Sequence, residues 1–275
     1  MRNLRHTLPA AAAWNVPVYV IDGGSSDGSE AVCADAGATV LHRSFDHWAS
    51  QRNWALRHPE IHQPWILFLD ADEQVTEGLR EAVSAALRSS EHHGWYLNRR
   101  LWFLGRPIRH AGLSPNWALR LVTREAAHWE PDGVREFAVV DGTLGHLAGH
   151  VEHQDHRGVL FWSAKHVWLA GMEAGRVDRP IEDEAMHREA SVRRWIRRRV
   201  FSVLPPAVPA LALFVYRYIV RLGFLDGHAG FAYCLMRELW FPVLVGDVER
   251  ERAAGVILSP AQVDRLRDAA FGPGW

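Results

Sequence analysis

Cysteine is scarce: Cys33 and Cys234 are the two thiols in 275 residues. They lie far apart and lack metal-type spacing, which excludes a disulfide framework and a cysteine zinc site, and fits a reducing compartment such as the cytosol. Excess charge is lacking as well. With 31 basic and 32 acidic residues the formal net charge is −1, so no global field draws the chain to nucleic acid and charged partners must be sought in local patches. Lysine occurs once, at Lys165, and arginine carries the rest of the positive charge. Internal repeats are absent. The apolar stretch Val203 to Tyr216 is broken by Pro205, Pro206 and Pro209 and is too short for a regular membrane span. What is present is 48% hydrophobic residues, enough for a substantial core in one large domain or one and a half.

The most informative stretch is Trp65-Ile66-Leu67-Phe68-Leu69-Asp70-Ala71-Asp72-Glu73. An apolar run that ends in acids reads as a buried strand opening into a crevice, where open α/β sheets bind ligands. On an extended backbone Asp70 and Asp72 leave the same face and can converge on one divalent cation or one polyol. Such hard oxygen ligands suit magnesium or manganese when a substrate diphosphate completes the shell. The plainer alternative is that these acids cap the helix expected to begin near Thr76.

Upstream, a helix is expected over Arg2 to Trp14 and a strand over Val16 to Ile21, ending at Asp22. The small-residue loop Asp22-Gly23-Gly24-Ser25-Ser26-Asp27-Gly28-Ser29 then enters an Ala-rich helix, and a strand, turn and helix N-terminus in this order receive phosphates or sugar hydroxyls. A further strand is expected at Ala38 to His42 and a helix at Ser50 to Leu56. Alternating strands and helices imply a doubly wound, mostly parallel sheet. From Gly94 onward the segments rich in Trp, Arg and Gly read as antiparallel strands: Trp95 to Leu97, Leu101 to Leu104, Ala118 to Val122 and Phe137 to Val140. Asp141-Gly142 reads as a hairpin turn. Helices are expected over Trp162 to Ala174 and Ile181 to Val200. The arrangement divides into an α/β part at 1–92, an antiparallel part at 93–175 and a helical region at 176–275.

Three motifs in order, Val20-Ile21-Asp22-Gly23-Gly24-Ser25-Ser26-Asp27-Gly28, Gln51-Arg52-Asn53-Trp54-Ala55-Leu56 and Leu67-Phe68-Leu69-Asp70-Ala71-Asp72-Glu73, resemble the glycosyltransferase family 2 pattern, and within it the lipopolysaccharide-core β-glucosyltransferases. The resemblance continues through Arg99 to Gly105, Ile108-Arg109-His110, Leu119-Arg120-Leu121, Val134-Arg135-Glu136, His153 and Leu222 to Gly227. It implies a GT-A fold, a nucleotide-diphospho-sugar donor, UDP-linked, a divalent metal (Mn or Mg), and inversion at the anomeric carbon. Carried over by position, Asp72 resembles the metal ligand beneath the diphosphate and Asp70 the acid nearer the donor ribose and sugar. Asp22, with Gly24 and Ser25, matches the nucleotide side, Arg52 a contact to the donor phosphates, and His153 a residue that helps hold the metal or the diphosphate. Glu136 occupies the position of the base that takes the acceptor proton. The acceptor implied is a glycan or a lipid-linked sugar, and the aromatic, Arg-rich region from Trp95 to Trp117 is the expected acceptor surface.

The family pattern normally opens with an apolar strand in the middle of the sheet, and this sequence starts at the helix after it. The expectation is therefore that the Val18 and Leu67 segments pair directly or leave backbone groups unsatisfied, and that the chain is shortened or weakened. Two other functions compete: a haloacid-dehalogenase-type phosphatase using an aspartyl nucleophile of the D-x-D, and an inactive scaffold that keeps the fold. Arg193, Arg194, Arg197, Arg198 and Arg199 precede the proline-broken apolar stretch, so peripheral binding to an anionic membrane surface through Arg193 to Arg221 is expected. His146, His150, His153 and His156 do not have the spacing of a single zinc face.

Overall fold

The computed structural model describes residues 1–89, 92–132, 135–174 and 204–256, with a few single positions from 259 onward. The expected helix Ile181 to Val200 and the arginines at 193–199 lie outside the described residues.

Helix α1 (Leu4–Ala12) leads to β1 (Tyr19–Asp22), α2 (Ser29–Asp35), β2 (Thr39–His42), α3 (Trp48–Arg57) and β3 (Trp65–Leu67). After Asp70 and Asp72 the chain forms β4 (Glu73–Val75) and α4 (Glu77–Ser89). The acids therefore do not cap that helix. Thr76 does so: its Oγ1 accepts the Leu79 N–H at 3.3 Å and donates to the His150 carbonyl at 2.6 Å.

The second half supplies β5 (Gly94–Phe103), β6 (Arg106–Pro107), β7 (Trp117–Thr123), β8 (Ala127–Asp132), β9 (Arg135–Val140) and β10 (Leu144–His153). The two segments expected at Trp95 and Leu101 are one ten-residue strand. Neighbours in the large sheet run β3-β7-β5-β10-β4, with β6 folded onto β5. Parallel pairing occurs between β1 and β2 and between β5 and β10; the other pairs are antiparallel. β8 and β9 form a separate hairpin. Asp141-Gly142 is not its tip: Asp141 N–H closes the open end on Ala126 O, and the chain then passes into β10 of the large sheet.

β1 and β3 do not pair with each other, and β1–β2 stands as its own two-stranded sheet. Tyr19 and Ile21 of β1, Ile66 of β3 and Phe68 just after it meet over a shared cluster of Leu41, Ala55 and Ile61. Side-chain packing against α3, rather than a ladder of backbone bonds, joins them.

Alternation along β7 shows how the layers form. Leu121 packs with Leu79, Val83, Leu97 and Val151 under α4, while its neighbour Val122 packs with Ala49, Leu56 and Trp129 on the α3 side. Leu79, Val83 and Ala86 present one apolar face of α4 to the sheet. Gly149 makes that approach possible: a Cβ there would meet Leu79 N at 2.7 Å, and its φ is +85°, at the register shift between His146 and His150.

Beyond α5 (Val159–Ala174) come α6 (Ala207–Val215), a π-turn (Tyr216–Val220), a 3-10 turn (Gly223–Asp226), α7 (Gly227–Tyr233), a second π segment (Cys234–Trp240) and α8 (Phe241–Ala253). Ala170 of α5 packs with Phe241 and Val245 of α8. Ala229 and Tyr233 join Phe103 and Ile108, which ties this helical region to the sheet. No single helix among the described residues is long and apolar enough to cross a membrane.

Candidate functional site

The crevice lies where β3 ends, between α3, β9 and the edge of β7. The chain leaves the β3 pairing after Phe68, whose N–H still bonds Arg120 O at 2.9 Å, and turns so that Asp70 faces two guanidinium groups. Arg52 of α3 reaches Asp70 Oδ1 at 2.5 Å and Arg120 of β7 reaches Oδ2 at 2.7 Å. Arg52 also donates through Nε to Glu136 Oε1 at 3.0 Å, so one buried guanidinium joins the acid after β3 to the acid on β9. Phe68 and Trp129 flank Arg52, with its Cζ 5.6 and 5.9 Å from the ring centroids. Burial would raise the Asp70 pKa, but the charges of Arg120, Arg52 and Arg99 outweigh it and hold the carboxyl far below its ordinary range.

Glu73, whose side chain is fully buried, holds this arrangement from below. Its carboxylate accepts the Asp70 N–H at 2.9 Å and meets Arg99 and Arg120, each at 3.4 Å. Asn53, beside Arg52 on α3, is structural: its side chain exchanges two hydrogen bonds with the Trp129 backbone, at 2.7 and 2.8 Å.

Asp72 points elsewhere. It lies 3.6 Å from Nε2 of His153 at the end of β10, and the Gln154 N–H bonds Asp72 O at 2.9 Å. Burial would raise the Asp72 pKa, yet the charge of and hydrogen bond from His153 bring it down to about 2. The reciprocal attraction raises the His153 pKa against the lowering effect of burial. A carboxylate oxygen and an imidazole nitrogen side by side are a donor pair that fits manganese, with diphosphate and water completing the shell. Asp70, with both oxygens on guanidinium groups, is engaged differently from Asp72.

The nucleotide-side loop is built on Asp22. Its Oδ2 accepts the N–H groups of Gly24 and Ser25 at 2.8 and 2.9 Å, closing the loop on itself. Burial opposes ionisation of Asp22, but hydrogen bonds from Ser25 and Gly24 and the charge of His42 lower its pKa. Among the described residues, the set of three donor side chains within metal-binding reach of one another is Asp22, Glu30 and His42, with Glu30 and His42 exposed. Helix α1 runs between this loop and the crevice. The Met1 amine meets Asp27 at 2.5 Å, and Thr7 donates to Ala71 O at 3.2 Å.

Sequence reasoning gave Arg120, Arg99 and Glu73 no role in the site. The signal was a charged residue inside the apolar run Ala118 to Val122: an arginine there must be buried and must have a partner. On the far side of His153 a small cleft of about 120 Å³ is lined by Trp102, Leu104, Gln154, Asp155, His156 and Trp162. Trp102 Nε1 donates to Glu152 at 2.5 Å, and Glu152 also holds Arg100 and His150. Of the four histidines, His150 and His153 are thus engaged on β10, while His146 stacks on Tyr96 and His156 on His6. The phosphatase reading needs Asp70 as a nucleophile; here each of its oxygens is ion-paired with a guanidinium group.

The model of "Glycosyl transferase family 2" matches residues 2–139. Lipopolysaccharide core biosynthesis glycosyltransferase LpsC of Rhizobium meliloti (strain 1021) is 29% identical over 135 residues, covering 46% of this chain and 49% of LpsC. The chain thus spans about half the length of that curated relative. Two crystal structures of S. aureus TarS 1-349 are similar at 13% identity. One has a TM-score of 0.43 with 92% of this chain and 88% of that chain covered; the other, in complex with UDP-GlcNAc, has 0.44 with 93% and 89%.

Proposed function

Because the chain belongs to glycosyl transferase family 2, we propose that it is an inverting, metal-dependent glycosyltransferase. It moves a sugar from a UDP-linked donor to a glycan or lipid-linked acceptor of the cell envelope. The observation that supports this reading is the Asp70–Arg52–Glu136 bridge, in which one guanidinium joins the acid after β3 to the acid on β9.

In the proposed reaction the acceptor hydroxyl oxygen attacks the anomeric carbon from the face opposite the diphosphate. The bond from that carbon to the phosphate oxygen breaks, UDP leaves with the electron pair, and Glu136 takes the acceptor proton. Asp72 and His153 are the residues that would hold the metal, whose chemistry is to neutralise charge building on the leaving diphosphate. Asp70, fixed by Arg52 and Arg120, is oriented towards donor hydroxyls, and the Asp22 loop with Gly24 and Ser25 receives the nucleotide. Arg52 holds Glu136 in register with Asp70. The aromatic cleft at Trp102 and Trp162 is the acceptor subsite in this reading, because flat rings stack on sugar faces while Gln154 and Asp155 meet hydroxyls. Peripheral association with the cytoplasmic face of a membrane would bring a lipid-linked acceptor to that cleft. The residues divide as 1–92 for the donor, 93–175 for the acceptor side and 176–275 for a helical region.

The test uses the whole chain with a panel of nucleotide sugars and manganese. Release of UDP in the presence of a core-oligosaccharide acceptor is the expected result. Glu136→Gln should lower transfer by about 100-fold or more while UDP still raises the melting temperature. Asp72→Asn should remove the manganese-dependent part of that shift with the fold intact. Full transfer by the Glu136→Gln chain would overturn the assignment of the base.

A further inference from the structure

The region after residue 203 leaves apolar side chains in water in an ordered way. Val208, Leu211, Val215 and Ile219 follow one another at intervals of three and four through α6 and the π-turn, and Leu222 follows just beyond it. All five are exposed, Leu211 at 53% and Ile219 at 51%. The opposite side of the same segment is packed: Pro209 and Ala210 are buried, and Arg217 turns inward to donate to the carbonyls of Ala111 and Gly112. The stripe is therefore one face of a fixed element. Phe214, Tyr218, Phe224 and Phe231 lock it through a chain of ring contacts at 5.4 to 6.3 Å.

Exposed charge between Leu204 and Arg237 has one sign. From Leu204 to Arg237 the one acid is Asp226, and its carboxylate is turned inward onto the N–H groups of Arg109 and His110 and the His110 ring. Arg109 and Arg221 are exposed beside the elbow. An apolar stripe with basic residues alongside, and no exposed acid among residues 204–237, matches an anionic lipid leaflet, where apolar side chains enter the acyl boundary and guanidinium groups meet headgroups. The first limb is too short to cross by itself. The 14 residues of α6 and the π-turn extend about 21 Å, against a hydrocarbon core of about 30 Å, and the chain then bends by 72°.

We propose that the face of Val208, Leu211, Val215, Ile219 and Leu222 docks in the plane of an anionic leaflet without crossing it. This deepens the peripheral association of the proposed function, on which it rests, and it needs neither donor nor turnover. It also replaces charge adsorption through an arginine run with insertion of apolar side chains.

Flotation of the whole chain with vesicles of 70% phosphatidylcholine and 30% phosphatidylglycerol, without nucleotide sugar, tests it at low salt and at about 0.5 M salt, where the Debye length falls to about 4 Å. The expected result is binding that weakens but persists at high salt. Leu211→Glu and Ile219→Glu should each lower vesicle affinity by about tenfold or more. The milder Leu211→Gln should lower it as well, with melting temperature and UDP binding unchanged. Equal flotation of parent and all three variants overturns the proposal, as does complete loss of parental binding at high salt. A concentration-dependent dimer in sedimentation that Leu211→Gln dissolves, together with no vesicle binding, would assign the face to a second copy of the chain and overturn it too.

Discussion

Arg52, Glu73 and Arg120 are nearly excluded from solvent, yet each has at least one partner of opposite charge within 3.4 Å. Leu211, Val215 and Ile219 are about half exposed among the described residues. The crevice thus buries the groups that resist burial, and the C-terminal elbow exposes the groups that resist exposure. Neither arrangement contributes to a folding core. Desolvating a charge is favourable only with partners in place, so the crevice network fixes a geometry rather than adding stability. An ordered apolar stripe left in water points to an interface formed after folding.

The largest expected effect comes from breaking the buried side of this contrast. Arg120→Leu removes a cation shared by Asp70 and Glu73, and leaves Glu73, whose side chain has no solvent access, facing Arg99 alone. A loss of about 3–5 kcal/mol is expected on removing one partner of a buried pair. Urea unfolding at pH 7 measures it. Adding Glu73→Gln to the same chain should recover part of the loss, because the uncompensated charge is then gone. A double variant as unstable as Arg120→Leu would mean that packing, not charge, sets the cost.

The motifs that were legible in sequence are those whose meaning is local. The run into Asp70, the Asp22 loop with Gly24 and Ser25, and the α3 motif each carry their own strand, turn or helix signal, so β1, α2, α3 and β3 came out near their observed places. The partners of Asp70 were not legible in this way. Arg120 lies fifty positions further on, and only the β3–β7 register brings it opposite Asp70. β10 escaped notice because its histidines and glycines mask the alternation: Gly145, Leu147 and Val151 point inward, but the register shift near Gly149 breaks the period. Of the two outcomes expected for the Val18 and Leu67 segments, direct pairing or unsatisfied backbone groups, the first is not observed: β1 pairs with β2, and the segments meet through side chains around Leu41, Ala55 and Ile61.

A medium effect should appear at the seam between the two regions. His166 on α5 packs against Trp162 and Phe241, and its Nδ1 lies 2.8 Å from Trp162 O, which places the proton on Nδ1. Burial, joined by the charges of Arg237 and Lys165, pushes its pKa down to about 4 although the Trp162 carbonyl acts to raise it. Because the folded value lies below the ordinary one, the unfolded chain binds the proton more readily between pH 6.5 and 4. Stability is therefore full above about pH 6.5 and falls as the solution is acidified, by about 2 kcal/mol from pH 7 to pH 5. Urea unfolding at both pH values, for the parent and for His166→Phe, should show this loss in the parent and a smaller one in the variant. Equal losses would place the acid sensitivity elsewhere.

The smallest effect is expected where the contrast is sharpest. Val208 is half exposed on α6, next to buried Pro209 and Ala210. If the stripe has no partner in the folded chain in water, Val208→Gln removes apolar area from solvent contact and breaks no packing. Gln also loses less side-chain freedom in a helix than β-branched Val, a difference of a few tenths of a kcal/mol in favour of the variant. The change in unfolding free energy should stay within about 0.5 kcal/mol of zero. Vesicle binding should fall in the same chain, so that stability and docking separate in one substitution. A destabilisation above about 1.5 kcal/mol would instead show that Val208 is already packed in solution, and the elbow would then have to be counted with the core rather than set against the crevice.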